Sequence, residues 1–506
     1  MEINQNYYGF KLIDKKEIKE LDSILFEFLH ETSGASLVYL ANEDTNKCFS
    51  IGFRTLPEDS TGICHIIEHS VLCGSKKYPV KEPFVNLLKG SMASFLNAMT
   101  ASDCTIYPVA SPNDKDFNNL MSVYLDAVFA PLSVIDPKPF LQEGWHYEMM
   151  DEDSIPSYKG IVYNEMQGAM SDPISQLSEY TNQILYKGTC YEYNSGGEPD
   201  DIPDLTFEYY KKFYHKHYHP SNGVIYLYGK MDVLEKLEYI DKEYLSKFSK
   251  LDESVTFEPI TAIIDTSVVR EYAIGDEEEL ENNSYISLSF MLDNSKNIKD
   301  IVAFSLLNEA LMGTNASPLK KALIDNNLAE DIETYFNDGA LYPSYNIYLS
   351  KTSPEKKELF YNVVIGEVQR LVDEGIDKEL LLSTININEF KNKELDTGRM
   401  PKGLAFAFSV MQGFNYDIPY EELLEASKYY KFFKENIKSE YFEGLLKKYI
   451  LENEKMKLCT LRDKVKRIKR TIFESIASSL RTILFESERS INKEFDDFFT
   501  AKSYDY

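Results

Sequence analysis

The segment His65-Ile66-Ile67-Glu68-His69 has the residue types and the spacing of a metal-dependent hydrolytic site. On a helix, positions i and i+4 lie on one face a single turn apart, so both imidazoles can reach one ion. Glu68 stands beside them, near that ion and its water. This is the inverted form of the zinc-binding H-E-x-x-H helix. Because the chain holds only seven histidines, two at this spacing around a glutamate favour a metal site over an accidental polar face.

Zn2+ fits such a donor set, because it accepts two neutral imidazoles and one carboxylate and leaves a fourth position open for water. The ion lowers the pKa of its water from about 15.7 to about 7. A neighbouring glutamate can then take the proton as the water attacks a carbonyl carbon. The pattern therefore predicts Zn2+ as the cofactor, His65 and His69 as two ligands, and Glu68 as the general base.

A third protein ligand has to come from another part of the chain. Glu165, in the segment Gly-Ile-Val-Tyr-Asn-Glu-Met-Gln-Gly at 160–168, is the best candidate, because the short apolar stretch before it could place it on a helix. Glu143 and Glu148, in the segment Gln-Glu-Gly-Trp-His-Tyr-Glu at 142–148, are competitors. Periodicity alone does not decide among the three carboxylates.

Short strands and helices must position the motif. Ser36–Leu40 and Lys47–Phe53 are predicted to be paired strands on either side of a polar turn. A helix is predicted to begin after Ser60-Thr61, with a Ser/Thr cap, and to end at the glycine stop Gly74. The same region is predicted to hold the amphipathic helix Phe117–Phe129 and the strand Val224–Tyr228.

A second region of strands and helices follows an extended connector at 249–265. The strands predicted there are Tyr285–Met291 and Ser344–Leu349, and the helices lie near Val302–Leu311, at Pro354–Asp373 and after 376 and 420. When Gly74 is aligned with Gly313, the polar positions 65, 68 and 69 become Phe304, Leu307 and Asn308. This faint repeat is the pattern expected of an active and an inactive copy of one domain.

These observations divide the chain into a zinc-binding catalytic domain at 1–248, a linker at 249–265, a metal-free second domain of similar fold at 266–462 and a divergent helical tail at 463–506. The tail begins with the locally basic patch Lys464–Arg470. A solvated helical tail is the simpler interpretation, and a docking surface is the alternative.

The net charge of the chain limits the kinds of partner that we expect it to bind. With 82 acidic and 54 basic residues, the formal net charge is −28. Sequence-independent binding of nucleic acid needs a surplus of Lys and Arg, so we expect no nucleic-acid partner. An acidic surface attracts basic peptides over a long range, although the charge could equally serve solubility.

The cysteines and the hydropathy bear on location. Six cysteines without a C-x-x-C pair are typical of reduced cytosolic thiols. The N-terminus shows neither a basic n-region nor an apolar h-region, and no apolar run reaches membrane-spanning length. We therefore expect a soluble, cytoplasmic protein with no membrane partner.

Two weaker signals have structural explanations. His215, His217 and His219 alternate as on one face of a strand and could bind a metal, but a packing role is favoured. The run Ser-Gly-Gly-Glu at 195–198 is predicted to be a turn, because it lacks the lysine and the helix start of a phosphate loop.

Over roughly residues 5–462 the sequence resembles the insulinase/pitrilysin zinc metalloproteases, specifically the first half of their presequence-protease branch. The motifs that carry the resemblance occur in order along the chain. Beyond 65–69 they are Ser-Val-Leu-Cys-Gly-Ser-Lys-Lys-Tyr-Pro at 70–79, Lys-Glu-Pro-Phe at 81–84, Ser-Phe-Leu-Asn-Ala-Met-Thr at 94–100, Tyr-Pro at 107–108, Gln-Glu-Gly-Trp-His at 142–146, Val-Tyr-Asn-Glu-Met-Gln-Gly-Ala-Met-Ser at 162–171, Tyr-His-Pro-Ser-Asn at 218–222 and Gly-Thr-Asn-Ala-Ser-Pro-Leu at 313–319.

The resemblance implies a site and a fold. It implies His65, His69 and Glu165 as zinc ligands and Glu68 as the general base. It also implies that Asn97 and Ala98 lie on an edge strand that pairs with the backbone of a peptide substrate. The expected fold is α+β, with two similar two-layer domains, each a mixed, mostly antiparallel sheet with helices packed on one face, and a helical C-terminal tail.

The resemblance also implies that something is missing. Enzymes of this branch are single chains about twice as long, whose halves close around a chamber, and the other half supplies an Arg and a Tyr that hold the substrate carbonyl. We therefore expect a zinc metallopeptidase half that hydrolyses unfolded peptides with a second-half chain or as a homodimer. The alternative is a non-catalytic or truncated scaffold half that binds zinc but needs a partner for activity.

Overall fold

The computed structural model of the protein describes residues 1–81, 83–151, 154–260, 267–274, 282–395 and 397–465. Nine strands of the described residues form one sheet, in the order β1-β2-β3-β4-β11-β5-β8-β6, with β7 also paired to β8. A separate two-stranded hairpin consists of β9 and β10. The strands of both are β1 Asn6–Tyr7, β2 Phe10–Ile18, β3 Ser23–His30, β4 Ser36–Ala41, β5 Lys47–Arg54, β6 Phe95–Leu96, β7 Met99–Thr100, β8 Cys104–Ser111, β9 His146–Glu148, β10 Ser157–Lys159 and β11 Gly223–Tyr228.

The predicted pairing of Ser36–Leu40 with Lys47–Phe53 is wrong. Both segments are strands, but β11 lies between them, parallel to β4 and antiparallel to β5. All six residues of β11 are buried, as expected of a central strand covered on both faces. The two segments therefore pair with β11, an apolar strand from a distant part of the chain, and not with each other.

Helices of the first half of the chain pack on one face of this sheet and form a large apolar core with it. They are α1 Ile63–Val71, α2 Pro83–Gly90, α3 Asp114–Phe129, α4 Lys138–Glu143, α5 Ile161–Ala169, α7 Phe207–His217 and α8 Val233–Glu243. The remaining helix of this half, α6 Pro173–Leu185, packs on the sheet of the second half of the chain. The helix predicted at Phe117–Phe129 begins three residues earlier, at Asp114. Asn113 caps it, because its side chain accepts a hydrogen bond from the amide of Asp116.

The second half of the chain builds a second unit around a five-stranded sheet of the described residues, in the order β12-β16-β13-β15-β14. Its strands are β12 Ser267–Ile274, β13 Ser284–Met291, β14 Asp331–Asn337, β15 Ser344–Thr352 and β16 Met456–Val465. Its helices are α9 Ile298–Met312, α10 Pro318–Asp325, α11 Lys357–Glu374, α12 Lys378–Glu394, α13 Lys402–Tyr416, α14 Tyr420–Leu424, α15 Ser427–Glu435 and α16 Tyr441–Leu446. Most of these helices share one apolar core with the sheet.

Each unit covers the remaining face of the other unit's sheet with one helix. Helix α13 lies on the first sheet, where Leu404 and Val410 join the buried cluster of Val224 and Tyr226. Helix α6 lies on the second sheet, where Leu177 joins a buried cluster with Leu461. These two reciprocal apolar contacts help to join the units.

The predicted α+β fold of two similar sheet-and-helix units is confirmed. The domain boundaries stay a prediction, and the predicted tail lies outside the described residues from 466 onward. Residues 249–260 of the predicted linker contain no helix or strand, and 261–266 lie outside the described residues. None of the helices in the described ranges is long and apolar enough to span a membrane.

Candidate metal centre

Helix α1 carries the H-x-x-E-H segment, and a glycine rather than Ser60 or Thr61 caps it. Gly62 occupies the N-cap with φ 70°, a left-handed conformation that glycine adopts without strain. A Cβ on Gly62 would lie 2.8 Å from the carbonyl oxygen of Gly196, so this contact also needs glycine. Thr61 instead donates its hydroxyl to Asp59. The predicted Ser/Thr cap is therefore wrong, and the helix ends at Val71, before the predicted stop.

One side of α1 is apolar and fixes the helix in the core. Ile63, Ile66, Ile67 and Val71 are completely buried in the first core. The opposite side presents His65, Glu68 and His69. Because that side cannot rotate inward without exposing the apolar residues, the sequence pattern determines where the imidazoles point.

The structure brings His65, His69 and Glu165 together. One ligand atom from each residue lies within 4.8 Å of the others, and Nε2 of His65 is 3.7 Å from Oε2 of Glu165. The two imidazole rings are 4.8 Å apart at 81°. Two imidazoles and one carboxylate converging on a point are a donor set that suits Zn2+.

The other ring nitrogen of each histidine has a partner of its own. Nδ1 of His65 lies 3.2 Å from the carbonyl oxygen of Gly196. A carbonyl can only accept, so Nδ1 carries the proton and Nε2 keeps its lone pair toward Glu165. Nδ1 of His69 lies 3.2 Å from Oε2 of Glu143. Both rings are therefore held in the tautomer that binds a metal through Nε2.

Glu143 and Glu148, the two competitors for the third ligand, lie elsewhere. Glu143 is buried behind the His69 ring, where it also accepts from Gln142. Glu148 lies on β9 and is 3.9 Å from the ammonium of Lys159. Neither belongs to the converging group, and Glu165 alone of the three carboxylates faces both histidines.

Charges around His69 alter its proton affinity. Burial lowers the pKa of His69, but the hydrogen bond to Glu143 and the charges of Glu68, Glu143 and Glu165 together outweigh burial and raise it. The acidic groups that would favour a bound cation therefore also favour a proton on His69.

Helices α4 and α5, which carry Glu143 and Glu165, approach through two glycines. A Cβ on Gly160 would lie 1.9 Å from the carbonyl oxygen of Gly144, so the two backbones touch. Any larger residue would push the start of α5, the helix that carries Glu165, away from the end of α4.

Glu68 lies beside the three converging residues and is nearly buried. Thr100 donates its hydroxyl to Oε2 of Glu68 at 2.6 Å. Glu68 and His69 line a cavity of about 370 Å3 together with Asn97, Ala98 and Phe84. The carboxylate is thus held at the wall of a space that a substrate could enter.

Asn97 and Ala98 lie between the short strands β6 and β7, at the open edge of the first sheet. Both backbone groups of Asn97 are engaged, since its amide donates to Pro108 and its carbonyl accepts from Tyr124. Within the described residues, Ala98 makes no backbone hydrogen bond. The edge therefore offers the peptide groups of Ala98 for pairing, and Asn97 is anchored to the sheet.

The three alternating histidines at 215–219 do not form a strand face. His215 and His217 lie on α7, and His217 is buried, with Nδ1 2.9 Å from the carbonyl oxygen of Arg54. Burial lowers the pKa of His217 to about 4. Within the described ranges, the group of His65, His69 and Glu165 is the one that could hold a metal ion.

Sequence reasoning missed three contacts of this site, from Glu143, Gly196 and Thr100. Glu143 and Gly196 stood in segments that the sequence singled out, but only as a possible ligand and as a turn. Thr100 closes the segment 94–100 of the family resemblance. None of these roles has a local pattern, because each depends on distant segments meeting.

Comparison with known proteins identifies the class: the chain belongs to the insulinase (M16) family of peptidases. Residues 48–145 match the family model described as insulinase (peptidase family M16), and residues 204–388 match the one described as peptidase M16 inactive domain. Protein HypA of Clostridium perfringens is 43% identical over 465 residues, which are 90% of this chain and 47% of that protein. Presequence protease 1, chloroplastic/mitochondrial, of Arabidopsis thaliana is 39% identical over 455 residues, covering 88% and 42%. The resemblance to the presequence-protease branch is confirmed.

A solved structure shows the same fold at low sequence identity. The crystal structure of a peptidase M16 inactive domain from Pseudomonas fluorescens matches with a TM-score of 0.65 at 15% identity, covering 87% of this chain and 98% of that one. The chain spans about half the length of the curated relatives it matches.

Proposed function

We propose that this chain is the zinc-binding half of a metallopeptidase that hydrolyses unfolded peptides. The observation that carries the proposal is the convergence of His65, His69 and Glu165 beside the nearly buried Glu68. His65 and His69 would hold Zn2+ through Nε2, and Glu165 would hold it through a carboxylate oxygen.

Each remaining residue has a task in this proposal. A bound Zn2+ would polarise the substrate carbonyl and acidify a water molecule. Glu68 takes the proton of the attacking water, and Thr100 fixes one of its carboxylate oxygens so that the other faces the reaction. Glu143 and Gly196 keep the two imidazoles in the required tautomer and orientation.

The substrate of the proposed enzyme is an extended peptide. Such a peptide would add to the sheet edge at Ala98 through main-chain hydrogen bonds, which give affinity without a strict sequence requirement. The formal charge of −28 favours basic peptides through long-range attraction. The cytoplasmic location of the protein stays a prediction.

A partner completes the site in this proposal. The curated relatives are about twice as long as this chain, so a second-half chain or a second copy would close over the cavity. A closed site excludes water and adds donors for the developing oxyanion, each worth ~10²–10³ in rate. The greater length of the relatives also favours the second candidate function, a scaffold half that binds zinc but is inactive alone.

One experiment separates these functions. Zinc content and hydrolysis of a quenched, unstructured basic peptide are measured at several concentrations of the chain, alone and with a candidate second half. Turnover that is first order in dilute chain indicates a self-sufficient enzyme, and turnover that rises with the square of its concentration indicates a homodimer. Turnover only with the second half indicates a two-chain enzyme. Stoichiometric zinc with no turnover in any mixture supports the scaffold, and a chain without zinc affinity contradicts both functions.

A further inference from the structure

A buried carboxyl group stands at the junction of the two sheet units. Asp103 lies in the turn between β7 and β8 and is 2% exposed. Its Oδ2 is 2.6 Å from the hydroxyl of Tyr191 and 2.6 Å from the hydroxyl of Tyr416. Its Oδ1 accepts from the side-chain amide of Asn415 at 3.2 Å. Asn415 and Tyr416 end helix α13 of the second unit, so Asp103 is a contact between units.

Two further backbone groups complete the cluster. The hydroxyl oxygen of Tyr416 lies 2.5 Å from the carbonyl oxygen of Gly339. The hydroxyl oxygen of Tyr191 accepts from the amide of Leu341 at 2.9 Å. Gly339 and Leu341 belong to the loop between β14 and β15, so a second segment of the second unit depends on the same tyrosines.

The number of protons in this cluster can be counted. Tyr416 has one hydroxyl proton and faces two acceptors, the carbonyl of Gly339 and Oδ2 of Asp103. If Asp103 were ionised, one of these two contacts would join oxygens at 2.5–2.6 Å with no hydrogen between them, which is repulsive. If Asp103 carries a proton on Oδ2, that proton goes to Tyr416 and the Tyr416 proton goes to Gly339. Tyr191 then donates to Asp103, and every contact of 3.2 Å or shorter has one proton, whereas the two tyrosine hydroxyls lie 3.5 Å apart.

The surroundings favour the neutral acid. Burial raises the pKa of Asp103, and this outweighs the hydrogen bonds with the two tyrosines and with Cys104 and the charge of Arg54, which lower it. Burial also raises the pKa of the four neighbouring groups Tyr191, Tyr416, Cys104 and Cys190, so they are neutral as well.

The charged neighbour Arg54 is directed elsewhere. Its guanidinium donates to the carbonyl of Phe414, lies 4.4 Å from the centre of the Phe414 ring and is 3.8 Å from Asp417. Arg54 makes no hydrogen bond to Asp103 within the described residues. Burial also raises the pKa of Asp338, beside Gly339.

We propose that Asp103 is a protonated carboxylic acid in the folded protein and that its proton makes the junction between the two units pH-sensitive. Its stabilising contribution is complete below the pKa of an unfolded aspartate, about 3.9, and is lost as pH rises through the higher folded pKa. Above that pKa a buried charge and a proton-free oxygen contact oppose the docking of α13 and of the loop at 339–341. This inference does not depend on zinc or on catalysis.

Infrared difference spectroscopy of the full chain tests the protonation state. The carbonyl stretch of a protonated carboxylic acid is expected above about pH 3.9, where an unfolded aspartate is ionised, in the difference between wild type and Asp103→Asn, and it should disappear as pH rises further. Asp417→Asn, an exposed carboxylate beside Arg54, is the control and should show no such band. Tyr416→Phe removes the proton acceptor but not the acid, so its spectrum should keep the band at a shifted frequency.

Thermal unfolding tests the consequence. As pH rises from about 3.9, the pKa of an unfolded aspartate, the Tm of Asp103→Asn should rise relative to that of wild type, because an amide cannot ionise. If Asp103→Asn does not fold, the band and its pH dependence in wild type and Tyr416→Phe decide the question. No band in either protein, or a Tm difference that stays constant as pH rises, would overturn the proposal.

Discussion

Nε2 of His65 lies 3.7 Å from Oε2 of Glu165, on a different helix. The distance is short because Gly160 lets the start of α5 touch the backbone of Gly144 and because Gly62 lets α1 begin against Gly196. The metal ligands proposed here are therefore placed by close backbone contacts around them. This arrangement leads to predictions that separate ligands, positioning residues and catalytic residues.

Glu165→Ala should abolish stoichiometric zinc binding, because it removes one of three converging donors. The loss of zinc affinity should exceed the ~10–100-fold loss that is typical of removing a residue that hydrogen-bonds to a metal ligand. Glu148→Ala is the matched control, since Glu148 pairs with Lys159 and should keep full zinc content. Isothermal titration with Zn2+ measures both. Full zinc content in Glu165→Ala would show that the third ligand has been misassigned.

Glu143→Ala should weaken zinc binding by ~10–100-fold without removing a ligand, because the His69 ring loses the carboxylate that orients it. Glu143→Gln keeps a carbonyl acceptor and should recover part of the affinity. Circular dichroism checks that both variants fold. Equal zinc affinity in wild type and Glu143→Ala would rule out this positioning role, and a wild type without zinc affinity would instead contradict the proposed function.

Zinc affinity should fall as pH decreases, because His69 must be neutral to bind the ion. The pKa of His69 is raised, so its protonation begins to compete at a higher pH than for an ordinary histidine. Glu143→Gln weakens the hydrogen bond and removes the charge that raise this pKa, so the fall should begin at a lower pH. Zinc titrations across the acidic to neutral range measure the shift. An unchanged or upward shift would contradict the role assigned to Glu143.

Glu68→Gln should keep zinc but lose ~10²–10⁴ in hydrolysis rate, because the amide preserves the shape and cannot accept the proton of water. The test uses whichever assembly shows turnover. Zinc content measured on the same sample separates loss of catalysis from loss of metal. Wild-type turnover in Glu68→Gln would remove this residue from the mechanism.

Gly62→Ala should destabilise the protein by at least about 1–2 kcal/mol, the cost of a left-handed non-glycine residue, and should loosen His65 by displacing Gly196. Gly168→Ala is the matched control, because it lies in α5 with no atom near its Cβ and should gain about 0.5–1 kcal/mol. Urea unfolding measures both free energies. Equal stability of the two variants would mean that the tight contact at Gly62 is not needed.

The sequence by itself determined the side of α1 that faces a metal, because helical periodicity is a local property and the apolar residues Ile63, Ile66 and Ile67 must be buried. It also determined the α+β class and the family, through motifs that occur in order. It did not determine that β11 lies between β4 and β5, because strand order depends on which distant apolar segment covers the sheet best.

Only the tertiary structure decided among the carboxylates. Glu143, Glu148 and Glu165 are equivalent in the sequence, yet one lies behind His69, one pairs with Lys159 and one faces both imidazoles. The difference arises where helices from distant segments meet, and no local pattern records that meeting. For the same reason the sequence held no indication of the Asp103 cluster. The proton proposed on Asp103 is required by two tyrosines and a carbonyl that only the fold brings together.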